Sequence, residues 1–558
     1  MASLQFVMAV GIRKFLVVGL VALGISTPQA QPLDEFAAEV DTLLTNATHP
    51  LLRQHDFTRD RDALVQLYVR KEFRPVWFRD AELTAQGTQL LHALRDADAY
   101  GLRSDDYDGS KLSYRTIDFV THHGSSALRK AELDLALSIA AARFLRHLHF
   151  GRVNPRTAGF ELSASHAPLD ITTTIEALAD GADLEQTLNH VEPPFLHYRL
   201  LKQTLQRYRL LAVDRELTNL PSFASRSIKL GEAYDGIPML RRLLIALGDL
   251  QADATSSDTI LDDVLAAGLR HFQQRHGLVV DGALGRSTFA ALRIPLSARV
   301  QQLALTLERW RWLPEFNAPP IIVNIPQFRL FAFRSTEDRA ADILQMDVIV
   351  GQTYPTTQTP IFTAEMKYVV FRPYWDVPPS IIAKEMLPAI GANPNYLDKE
   401  NLELVSATES NADPVAVSAA TLEQLASGKL RLRQRPGEDN ALGLVKLMLP
   451  NPYDVYLHST PAQRLFEKPQ RAFSHGCIRV SDPVGLVEHV LRNEPGEWTR
   501  DKIEATMRDE SSNNRHVFLT KPIPVLIVYG TAMALENGDV QFFEDIYGHD
   551  AKLMKLLR

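Results

Sequence analysis

One cysteine in 558 residues excludes an internal disulfide framework and any zinc module built on several thiolates. Excess positive charge is missing too. A formal net charge of −7 gives no pull toward nucleic acid or anionic lipid, so nucleic acid is excluded as a partner. Beyond the first thirty residues, no apolar run approaches the about 20 residues that span a bilayer. What remains is 45% hydrophobic and 23% charged, too apolar for a disordered chain. At about 150 residues per domain it is long enough for three or four folding units.

The N-terminus addresses the compartment. Arg13 and Lys14 precede an apolar run from Phe15 to Ile25, and Ser26-Thr27-Pro28-Gln29-Ala30 follow. This is the order of a secretory signal peptide, placed at residues 1–31, with an uncleaved anchor as the alternative. An exported chain rarely leaves a cysteine unpaired, so Cys477 is either a buried inert thiol or a reactive one.

The periodicity changes along the chain. Residues 32–225 read as a helical region, with Leu135, Ile139 and Phe144-Leu145 at amphipathic spacing and a Gly-Pro break at Gly151 to Pro155. His147 and His149 stand two apart, on different helix faces, and read as structural. Residues 226–296 form a compact helical module. Residues 297–545 alternate like antiparallel strands bounded by Pro, Gly and Asn, and Asn537-Gly538 predicts a tight hairpin. Residues 376–435 interrupt the strands as a long insertion that reads as a lid, and residues 546–558 read as a tail. The fold class expected is therefore multidomain α+β.

Chemistry concentrates beyond the insertion. Tyr456-Leu457-His458-Ser459 is followed about sixteen residues later by Ser474-His475-Gly476-Cys477-Ile478-Arg479. A nearby imidazole can activate a thiol, and Gly476 leaves adjacent N–H groups free to face a developing oxyanion. Arg479 adds a charge suited to a substrate carboxylate. From spacing alone three readings stand: a nucleophilic thiol, a core cysteine, or a zinc site formed by His458, His475 and Cys477.

Two family resemblances bear on the choice. Phe272-Gln273, His276-Gly277-Leu278, Asp281-Gly282 and Gly285-Arg286-Ser287-Thr288 resemble the three-helix peptidoglycan-binding module. The Ser474–Arg479 run with His458 resembles the signature of the YkuD-type L,D-transpeptidase catalytic domain. The likeness extends through Val323-Asn324-Ile325-Pro326, Val350-Gly351, Thr359-Pro360 and Pro373-Tyr374-Trp375-Asp376-Val377-Pro378-Pro379. With the insertion and the upstream helices it is similar to the large periplasmic members of that family.

The resemblance implies Cys477 as nucleophile and His458 as base, oriented by the carbonyl of Ser459. His475 and Gly476 would shape the loop and oxyanion hole. Arg479, Tyr374, Trp375, Tyr456 and Ser474 would stand toward substrate. It implies no metal or other cofactor. Peptidoglycan stem peptides would be donor and acceptor, cell-wall synthesis proteins further partners, and carbapenem β-lactams covalent inhibitors. The expected reaction is a 3→3 cross-link. An L,D-carboxypeptidase or a lipoprotein-attaching enzyme on the same site is the alternative, and an inactive wall-binding scaffold is a distant third. A papain-like hydrolase is disfavoured because there Cys precedes His along the chain.

Overall fold

The computed structural model describes residues 34–123, 126–162, 167–251, 259–336, 343–393, 395–409 and 412–558. The signal peptide expected at residues 1–31 lies outside them. No helix among the described residues is long and apolar enough to cross a membrane.

The N-terminal region is helical, organised around Ala127–Phe150, a helix buried along most of its length. Buried Asp134 accepts from Val76 N–H at 3.0 Å, Trp77 N–H at 2.7 Å and the Tyr68 hydroxyl at 2.7 Å, tying a loop and a neighbouring helix to it. The predicted break at Gly151 is where this region meets the rest of the chain. The freed N–H groups of Arg152 and Val153 donate to Glu308 Oε1 at 2.5 and 3.0 Å. Glu308 lies on helix Leu296–Trp310 and also pairs with the fully buried Arg311 at 3.3 Å. Such a buried carboxylate is tolerable only because its oxygens are occupied by donors. His147 bonds the Tyr107 hydroxyl at 2.9 Å and His149 the Val191 carbonyl at 2.8 Å, so both serve structure.

Three helices, Ile237–Leu247, Asp263–Arg275 and Arg286–Leu292, form the compact module. Gln273 is its internal tie. Its amide donates to Asp281, Ala283 and Thr288 at 2.9 to 3.1 Å and accepts from the N–H groups of Asp281 and Gly282. The matching Phe-Gln and Asp-Gly residues therefore build a core and a turn.

The β-rich region is one nine-stranded sheet with strand order Ala472–Ser474, Ile343–Gly351, Ile478–Val480, Leu457–His458, Val445–Met448, Phe362–Phe371, Arg515–Val528, Ile321–Asn324 and Arg329–Phe333. Arg329–Phe333 pairs back onto Ile343–Gly351, so eight of these strands close into a ring around an apolar core. The expectation of an antiparallel sheet needs correction. Leu457–His458 runs parallel to Ile478–Val480, Ala472–Ser474 to Ile343–Gly351, and Ile321–Asn324 to Arg515–Val528. Parallel neighbours need a crossover rather than a hairpin. The chain between residues 458 and 478 supplies one.

The insertion folds as a unit. Its own sheet orders Leu402–Ser406, Leu430–Gln434 and Trp375–Asp376, and Val377, Ile382, Leu404 and Leu432 pack beside it. The hairpin at Asn537-Gly538 is present, between Ala532–Ala534 and Val540–Phe542. It packs on the helical module, where buried Arg275 pairs with Asp249 and donates to the Val540 carbonyl at 2.6 Å. The residues expected as a tail form helix His549–Leu556, with Leu553 buried in the sheet's core.

Burial holds imidazoles neutral far below their usual range: His147 and His458 near 3, and His49, His197, His489 and His549 near 4. Each takes up a proton near pH 6.5 on unfolding, so its stabilising contribution is complete above that pH and fades toward the folded value. Asp134, raised to about 6 by burial, and Glu132, raised by burial as well, act in the opposite sense but are outnumbered. The urea midpoint is expected to be level above pH 7 and to fall steeply from 6.5 toward 4, as the unfolding free energy drops by up to about 1.4 kcal/mol per pH unit for each imidazole. A midpoint unchanged between pH 7.5 and 5 would show that these rings are not held neutral.

Candidate active site

Side chains alternate across a strand, and residues in register share a face. Leu447, Leu457 and Ile478 are fully buried and point into the ring. The residues between them point outward. Register pairs Lys446 with His458 and His458 with Arg479, so these three stand side by side across three strands. Tyr456 and Cys477, each two residues before a member of that row, form the next row on the same face. The structure thus brings together Cys477, His458, Arg479 and Tyr456, four of the residues named from sequence.

His458 is 4% exposed. Its Nδ1 lies 2.6 Å from the Ser459 carbonyl oxygen. A carbonyl only accepts, so Nδ1 carries the proton and Nε2 keeps its lone pair. Burial is the main cause of the ring's lowered pKa, about 3, with Arg479 next and Lys446 adding to it. Gly443 lets the chain approach here: a Cβ on it would lie 2.6 Å from the Ser459 hydroxyl oxygen.

Cys477 is half-buried, and its sulfur lies 3.6 Å from the Asp454 carbonyl. Burial pushes the thiol's pKa up, while hydrogen bonds from Tyr456 and the charge of Lys446 pull it down. No cluster of three or more His, Cys, Asp or Glu side chains among the described residues could hold a metal ion.

The loop before the cysteine is tied at several points. Ser474 donates from Oγ to the Cys477 carbonyl at 2.5 Å and accepts from the Gly476 N–H at 3.1 Å. The Gly476 N–H is therefore occupied by Ser474. The Cys477 N–H has no backbone or side-chain acceptor among the described residues. Gly476 itself sits at φ +124, a conformation that side chains rarely adopt, although a Cβ would meet nothing closer than 3.8 Å. His475 points away from the sulfur's row toward the insertion, its Nε2 3.0 Å from Glu385. Tyr374 and Trp375 belong to the insertion: Arg433 lies over the Tyr374 ring at 4.1 Å, and Trp375 pairs with Gln434.

Sequence reasoning missed Lys446, Glu385 and Thr359 as site residues. Thr359 belongs to the Thr-Pro pair that carried part of the resemblance, and the signal stopped there. It is 1% exposed, donates to the Gly476 carbonyl at 2.8 Å and accepts from the Gly351 N–H at 2.8 Å. Thr359→Val keeps the shape and orphans both groups. Unfolding should become easier by about 1–3 kcal/mol and modification of Cys477 by acylating ligands at least several-fold slower, read by denaturation and intact mass. Unchanged acylation would mean that Thr359 does not position the loop.

Comparison with known proteins bears on the domains that hold this site. Residues 319–503 match the family model described as "L,D-transpeptidase catalytic domain", residues 234–292 that of a "Putative peptidoglycan binding domain", and residues 62–205 that of a "Scaffold domain". A Haemophilus influenzae protein named "Putative L,D-transpeptidase" is 32% identical over 253 residues. That alignment spans 45% of this chain and 49% of the relative, about half of each. The chain therefore carries a catalytic domain of the YkuD L,D-transpeptidase family, joined to a helical scaffold and a peptidoglycan-binding domain in one large multidomain arrangement.

Proposed function

We propose that this chain is a cysteine-dependent acyltransferase of the periplasm that cross-links peptidoglycan stems. One observation carries the reading. Cys477 and His458 share one face of neighbouring parallel strands, and the His458 tautomer leaves Nε2 as a proton acceptor.

The resting pair is a thiol and a neutral imidazole, since burial raises the first and lowers the second. The proton therefore leaves sulfur during attack rather than before it. Sγ bonds to the carbonyl carbon of the L,D peptide bond after residue three of a tetrapeptide stem, and Nε2 takes the thiol proton. The Cys477 N–H faces the developing oxyanion. Collapse breaks the C–N bond, His458 returns the proton to the departing amine, and D-Ala leaves a thioester behind. The amine of a second stem attacks the thioester, its proton passes to His458, and as the C–S bond breaks His458 hands that proton to the departing sulfur, restoring the thiol and the neutral ring. The product is a 3→3 cross-link. Water as acceptor makes the same site a carboxypeptidase, and a lipoprotein lysine makes it an attaching enzyme.

The insertion is suited to shelter the thioester from water. It touches the catalytic loop through Glu385 and His475, whose side chains are 52% and 42% exposed. Such a pair contributes about 0.2–1 kcal/mol, little enough for a lid to open readily.

Intact-mass spectrometry of the mature protein tests the reading, beside Cys477→Ala, after mixing with a tetrapeptide muropeptide or with a carbapenem. The parent alone should gain an acyl adduct, with dimeric muropeptide and free D-Ala in solution. D-Ala without dimer would move the assignment to a carboxypeptidase or an attaching enzyme, and an unmodified parent would leave a wall-binding scaffold. Alkylation of Cys477 by iodoacetamide should still accelerate above pH 8, as a raised thiol requires. A plateau reached by pH 7 would mean a preformed thiolate instead.

A further inference from the structure

Lys446 stands next to His458 on the face that carries Cys477, and no sequence signature drew attention to it. Its side chain is half-buried, and its Nζ lies 3.9 Å from the centroid of the Tyr456 ring. Tyr456 belongs to the row of Cys477, so the ammonium leans from the row of the base toward that of the nucleophile. No carboxylate among the described residues comes within 4.0 Å of it. The acidic groups that act on it are Asp376, which is bonded to Arg431 at 2.7 Å, and Asp454. The other charged and titratable groups around it are Cys477, His458 and His516.

A cation–π contact holds an ammonium in place without neutralising it. Among the described residues Arg479, on the far side of His458, also has no carboxylate partner, and its buried Nε makes no hydrogen bond to them. Two cations thus flank a neutral imidazole, and the face has positive charge to spare. Ion pairs inside the insertion show the contrast: buried Glu403 is shared by Arg433 and Arg435 at 2.6 and 2.7 Å. Buried charge is normally paired, and where the protein supplies no partner a ligand can.

We infer that Lys446 is a specificity-determining residue that binds a substrate carboxylate, namely the free carboxylate of the D-residue leaving the scissile bond. The inference rests on the transpeptidase reading above, because that reaction places a carboxylate two bonds from the departing nitrogen. A stem lengthened by one residue has an amide at that position and offers Lys446 no charge. Lys446 therefore selects for chains that end one residue beyond the scissile bond, and Arg479 remains available to the rest of the donor.

The test compares a tetrapeptide donor with its C-terminal carboxamide, for the parent, Lys446→Met and Lys446→Arg. Release of D-Ala or D-alaninamide is measured as kcat and KM. The parent should favour the acid by roughly 10- to 100-fold in kcat/KM, the usual range for a hydrogen bond between charged partners. That ratio should collapse toward one in Lys446→Met, largely through KM, and return in part in Lys446→Arg. Equal losses on both donors would place Lys446 with the thiol or the fold and overturn the inference. An upward shift in the pH profile of iodoacetamide alkylation would identify the thiol. A preserved ratio would assign the carboxylate to another group.

If the parent turns over neither peptide, the transpeptidase reading fails. Acylation by a carbapenem and by its carboxylate ester then decides for Lys446. A loss in Lys446→Met confined to the acid supports the carboxylate role, and a loss on both, or no acylation of the parent at all, ends it.

Discussion

The parallel pairing of Leu457–His458 with Ile478–Val480 is the constraint on which the site depends. It sets Leu457 against Ile478 inside the ring and His458 against Arg479 outside it. Cys477, one residue before its strand, is thereby held diagonally across from the imidazole. A slip of one residue would turn Cys477 and His458 toward the apolar core. The buried leucines and isoleucines of the ring resist that slip, each worth about 1.5–3 kcal/mol of burial. The positions of the reactive groups are thus enforced by the side chains that point the other way.

Electrostatics on the outer face follow from the same register. His458 has a cation on either side and is buried, so the neutral ring is strongly favoured, and the Ser459 carbonyl decides which nitrogen is free. Proton acceptance by that ring is opposed by Lys446 and Arg479, which favours handing the proton on. Burial also favours the protonated form of the thiol beside it. The loop that carries the cysteine is fixed by Ser474 from within and by Thr359 from the adjoining strand connection. The insertion reaches the same loop through the exposed His475–Glu385 hydrogen bond. The loop is thus tied firmly from the sheet and weakly from the insertion.

Much of this was legible in the residues. The change from helical to alternating period placed the β-rich region, Pro-rich punctuation marked the insertion, and Asn537-Gly538 located a hairpin that the structure contains. Ser474–Arg479 and His458 pointed to the site because their chemistry is unusual in an otherwise cysteine-free chain. Lys446 was invisible for the opposite reason: a lysine in an alternating strand looks like an ordinary solvated residue, and only register shows what stands beside it. Glu385 was equally silent, lying 90 residues from its partner. Nor did the sequence show that a hydroxyl two residues back occupies the Gly476 N–H.

Sequence alone determined the reactive groups, the punctuation of the chain and the family likeness, since these depend on residue type and local spacing. Tertiary structure decided the closure of the sheet, the parallel orientation of the strands that carry His458 and Arg479, and the packing of the C-terminal hairpin against the helical module. It also decided the charge environment of His458. Each of these depends on which distant segments become neighbours, and that is settled by the burial of the whole ring rather than by any local pattern.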